Sequence, residues 1–200
     1  VRALLDAPAT AGASRTPRDL RYALAGLAVT AALGVLLALV LSRGLALPVP
    51  LPMLVDLHAG WGWLGWGGLL LAATSWVVVP MFQITPAYPE RLTRHWAPTV
   101  LVALLAWSAA TLGGHALPAT ATGLALLALA ALFAIATVRL QSRSRRSTPD
   151  ASFRAFRLAM FAALGGLVAL LGTMLTDIER LPVVAGVLVM HGAFGGAISA

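Results

Sequence analysis

Leu20-Arg21-Tyr22-Ala23-Leu24-Ala25-Gly26-Leu27-Ala28-Val29-Thr30-Ala31-Ala32-Leu33-Gly34-Val35-Leu36-Leu37-Ala38-Leu39-Val40-Leu41 carries a single charged side chain, Arg21, at its very edge. A helix needs roughly 20 apolar residues to cross the hydrocarbon core of a bilayer, and this stretch supplies them. Five more such stretches follow, at about 52–79, 97–112, 119–140, 153–176 and 181–200. Backbone in lipid must satisfy its own hydrogen bonds, so each stretch is expected to be a helix. The expected fold is all-α, a polytopic transmembrane bundle of six spans over residues 20–200. Residues 1–19, rich in Ala, Pro, Thr and Arg, are expected to form a polar cytoplasmic lead-in loop.

The connections support that count independently of hydropathy. The lead-in holds Arg2, Arg15, Arg18 and Arg21; the link between spans two and three holds Arg91 and Arg94. The link between spans four and five, with its flanks, holds Arg139, Arg143, Arg145, Arg146, Arg154 and Arg157. The other three links share only Arg43 and Arg180. Every second connection is basic, as the positive-inside rule requires of an even set of spans with a cytoplasmic N-terminus. Pro52 suits the first turn of span two, Pro80 is expected to end it, and Met81 to Pro89 reads as a bent interfacial segment.

Composition agrees. The chain is 60% hydrophobic and 10% charged, with a mean hydropathy of +0.88, far from a soluble domain. The net charge of +7 is all arginine, spread between apolar runs, so the lipid bilayer and not nucleic acid is the expected contact. Arginine without lysine, amid abundant Ala, Leu and Gly, points to a GC-rich bacterial genome and a multi-pass protein of the cytoplasmic (inner) membrane. With no cysteine, any metal must rest on His, Met, carboxylate or backbone oxygen. No signal peptide with a cleavage site is visible, and Val1 and the apolar run ending at Ala200 read as the edges of a longer protein.

Two spans share a small pattern: His58-Ala59-Gly60-Trp61-Gly62 and His191-Gly192-Ala193-Phe194-Gly195. A histidine within a bilayer-spanning helix is a functional hypothesis by default. His58 lies about 9 Å along its helix from Pro52, and His191 about 15 Å from Leu181, near the membrane middle. At regular helical spacing Gly62, Gly65, Leu69 and Trp76 share the face of His58. A histidine above a glycine groove suits axial ligation of a flat macrocycle. The competing reading is that the glycines admit a neighbouring helix. His95 and His115 read as interfacial residues, and Trp61, Trp63 and Trp66 as an aromatic belt. Gly165, Ala169, Gly172 and Thr176 read as a packing seam on span five.

Leu57-His58, followed by a glycine-rich helix ending Ala73-Thr74-Ser75-Trp76-Val77-Val78-Val79, resembles helix two of heme–copper oxidase catalytic subunits (subunit I). The likeness is nearest to the high-affinity bacterial type and its nitric-oxide-linked relatives. Met190-His191-Gly192-Ala193-Phe194-Gly195 resembles the helix-six segment of that superfamily, and NnrS-like membrane proteins share the general look. The resemblance implies heme as cofactor with His58 as axial ligand beside Gly62 and Gly65. It also implies copper, or a second heme, at His191, and a redox partner protein. The superfamily's further copper and heme histidines have no counterpart here, and Gly195 stands where some oxidases carry a tyrosine. Oxygen reduction is therefore not implied, and the expectation is a divergent heme-binding, oxidoreductase-like protein. The alternative is a small-solute permease whose path both histidines line, with the two motifs reflecting a parallel internal repeat.

Overall fold

A computed structural model describes residues 15–200. Among them are six helices long and apolar enough to cross a membrane and no strand. They are α1 (Thr16–Arg43), α2 (Leu51–Phe82), α3 (Glu90–Leu112), α4 (Ala116–Gln141), α5 (Ala151–Leu175) and α6 (Leu181–Ile198). Residues 1–14 of the expected lead-in lie outside the described residues. Residues 16–19 are not loop, because α1 begins at Thr16 with Pro17 in its first turn. The bundle is all-helical, as the apolar runs dictate.

Each helix end departs from its apolar edge for a local reason. Pro80 does not stop α2. It removes one donor only two residues from the end, and Gln83 N still donates to Val79 O at 3.0 Å. α3 starts seven residues before the apolar run, after an extended Pro89, so Arg91 and Arg94 project from helix and not from loop. Asp150 caps α5 by accepting from Phe153 N at 2.9 Å. Gly44, at φ 62°, ends α1 in the left-handed conformation.

Neighbouring helices run antiparallel. The buried stripe of α1, namely Asp19, Ala23, Gly26 and Thr30, repeats every three or four residues and lies on α2. A Cβ added to Gly26 would sit 1.8 Å from the Gly65 carbonyl oxygen, so the two backbones touch. α3 packs on α4, α4 on α5, and α5 on α6. The Phe194 ring lies directly on Gly67 and brings α6 back to α2. Apolar side chains such as Leu24, Val35, Leu117 and Val168 point outward, as a lipid-facing surface allows.

The densest packing lies toward the arginine-rich end. Trp76 is fully buried and meets Tyr88 edge-on at 4.7 Å and Phe133 at 5.6 Å, with Trp96 at 6.2 Å. The segment expected to be interfacial therefore folds inward: Gln83 and Tyr88 are buried. Gln141 Nε2 donates to Gln83 Oε1 at 2.9 Å, and Tyr88 and Thr137 share a hydroxyl bond of 2.9 Å. Ile84 takes φ 51° to make this bend.

Candidate functional site: a crevice between two π-helical segments

Two stretches leave the α-helical ladder, Trp61–Gly68 in α2 and Leu188–Gly195 in α6; each is eight residues of π-helix. Such windings are rare, normally a single turn, and concentrate at functional sites. Here they coincide with the two repeated motifs: His58 precedes the first by three residues and His191 lies inside the second. In α2 the altered winding sends three indoles three ways. Trp61 is buried and donates to Ser108 Oγ at 2.9 Å, Trp63 enters a cavity, and Trp66 is exposed.

That cavity is a partly open crevice of about 540 Å³ lined by residues of α2 to α6. Trp63, Trp107, Phe133, Met160 and Phe194 form its walls, with Asp56 and Thr173 among its few polar neighbours. The volume falls in the usual range for small-molecule sites.

Neither sequence-predicted histidine lines this crevice. His58 turns to α1, half-buried, with Nδ1 3.1 Å from the Thr30 carbonyl oxygen. A carbonyl only accepts, so Nδ1 carries the proton and donates. In the neutral ring Nε2 is then a bare lone pair. Nε2 has no hydrogen-bond partner among the described residues. A Cβ added to Gly34 would lie 3.1 Å from His58 Cε1, so glycine there leaves the ring its place. His191 is exposed on the lipid-facing side of α6, with no hydrogen-bond partner among the described residues.

Gly62 and Gly65 are in contact with neighbours, not with open space. A Cβ on Gly62 would meet Thr30 at 3.3 Å, and one on Gly65 would meet Trp61 at 2.8 Å. His95 is exposed near the arginine-rich end, and His115 sits at the N-cap of α4.

The donor sets decide what each ring can hold. His58 offers one nitrogen: its N–H is tied to a carbonyl, which fixes tautomer and orientation, while the other nitrogen is without a partner among the described residues. The glycine groove expected to take a macrocycle beside it is filled by Gly26 and Thr30 of α1. No group of three or more His, Cys, Asp or Glu side chains among the described residues is placed to hold a metal ion. His191 thus contributes a single nitrogen and does not make a copper site with its neighbours.

Sequence reasoning passed over Asp19. It is 1% exposed, pairs with Arg18 at 2.8 Å and accepts from Trp76 Nε1 at 3.0 Å. Its only signal was an acid in the first turn of a helix, and the partner that buries it lies far along the chain. Compared with known proteins, the chain matches no family model, no curated protein and no solved structure.

Proposed function

We propose that this chain belongs to an integral membrane heme protein in which His58 supplies one axial nitrogen through Nε2. One observation carries the reading: the Nδ1–H of His58 is committed to the Thr30 carbonyl, leaving an unpartnered acceptor on a membrane helix. An unpaired polar nitrogen is costly in hydrocarbon, and a bound metal would satisfy it. Heme would supply one-electron or diatomic-gas chemistry, tuned by the axial ligand and its burial. Thr30 holds the ring in place, and Gly34 keeps its edge clear. We place the protein in a bacterial cytoplasmic membrane, with the arginine-rich end inside and a separate redox protein as electron partner. Copper at His191 draws no support from a lone imidazole. A permease with both histidines along its path draws none either, because neither lines the crevice.

The test is the absorption spectrum of the full-length protein purified from heme-replete cells. The wild type shows a Soret band; His58→Ala loses it, while His191→Ala keeps it. A colourless wild type, or a band unchanged in His58→Ala, would overturn the reading.

A further inference from the structure

The crevice asks for a guest that is mostly hydrocarbon. Its walls are aromatic and aliphatic, and apolar cavities do not hold water well. Its polar neighbours gather at one end. Asp56 stands in the first turns of α2 and Thr173 in the last turn of α5, both at the arginine-poor end of the bundle. The Trp107 indole N–H lies 3.8 Å from the Cβ position of Gly123, another lining residue, and has no hydrogen-bond partner among the described residues. Along α2 the lining runs from Asp56 to Leu71, about 22 Å at 1.5 Å per residue. One leaflet of a bilayer's hydrocarbon is about 15 Å deep.

A slot of that length, apolar along its walls and with a carboxylate at one end, matches one lipid tail beneath a headgroup bearing a positive charge. We propose that the crevice binds one phosphatidylethanolamine molecule from the arginine-poor leaflet. One acyl chain lies between Trp63, Trp107 and Phe194, and the ammonium sits at Asp56. This site is separate from His58 and does not depend on heme.

Gly123 provides the test, because it faces the crevice and a Cβ there would meet nothing nearer than 3.8 Å. A bulky side chain at this position starts from an unobstructed Cβ and extends toward the Trp107 and Met174 side chains that line the slot. The full chain is reconstituted in nanodiscs of equal phosphatidylethanolamine and phosphatidylglycerol, extracted in mild detergent and weighed by native mass spectrometry. The wild type retains one phosphatidylethanolamine per chain; Gly123→Phe retains at least fivefold less; Asp56→Asn retains both lipids about equally. If Gly123→Phe fails to fold, Ala130→Leu on the same wall gives the same readout. No retained lipid in the wild type, equal retention in the filled variant, or retained phosphatidylglycerol in place of phosphatidylethanolamine would overturn the proposal.

Discussion

Trp76 donates its indole N–H to Asp19 Oδ2 at 3.0 Å, tying the first turns of α1 to the last turns of α2. Arg18 binds the other carboxylate oxygen and also donates to the Thr93 carbonyl at 3.1 Å, so the same cluster reaches α3. Three helices thus meet on one buried acid. Trp76→Phe leaves one carboxylate oxygen unpaired and is expected to cost about 1–3 kcal/mol. Asp19→Ala is expected to cost at least as much. Thermal unfolding in detergent checks both, and the double variant should fall short of the sum, because each change removes the same bond. An unchanged Tm in Trp76→Phe would show that the bond adds nothing.

The contact between Gly26 and the Gly65 carbonyl leaves no room for a methyl group. Gly26→Ala forces α1 and α2 apart and is expected to lower stability by about 1–3 kcal/mol, the usual range for overpacking. Gly186→Ala serves as the control, since a Cβ there meets nothing within 4 Å. The two melting curves, compared in the same detergent, decide whether the seam is as tight as its geometry states.

Gly34→Val crowds the His58 ring, whose Cε1 would already stand 3.1 Å from a Cβ at that position. If His58 holds heme, the variant should lose heme or shift its Soret band while keeping its helical content by circular dichroism. A spectrum identical to wild type would show that the ring's position does not govern binding.

Burial pushes the Tyr88 phenol well above the ordinary tyrosine value, against a weaker opposing effect of the Thr137 hydrogen bond. The unfolded chain ionises near pH 10, where the folded phenol still keeps its proton. The stabilising contribution is complete below that pH and is lost as pH rises toward the folded value. The chain has two tyrosines, so Tyr22→Phe leaves Tyr88 as the only reporter. Its tyrosinate absorbance should appear only together with loss of helical signal. A titration midpoint near pH 10 in a still-folded protein would contradict the burial.

The six helices were legible because hydrophobic length and arginine placement are local properties that each run displays by itself. What went unread depends on partners distant in sequence. The inward fold of Gln83 and Tyr88 needs Gln141 and Thr137 to receive them. The apolar run behind α3 could not show that helix continues through Arg91 and Arg94, since hydropathy marks the membrane and not the winding. For the glycines near His58 the sequence favoured a macrocycle groove over a helix seam. Only the positions of Gly26 and Thr30 on α1 fill that space. The two motifs were visible as a repeat, yet nothing in their spelling foretold the π winding that both share.

That winding has a mechanical consequence. Rewinding either stretch to ordinary α-helical pitch would turn the side chains beyond it about the helix axis. Phe194 rests on Gly67, each within its own widened stretch, so neither could turn without pushing the other. The second and sixth helices thus meet through one aromatic ring seated on one glycine, and a side chain larger than hydrogen at that glycine would have to displace the ring.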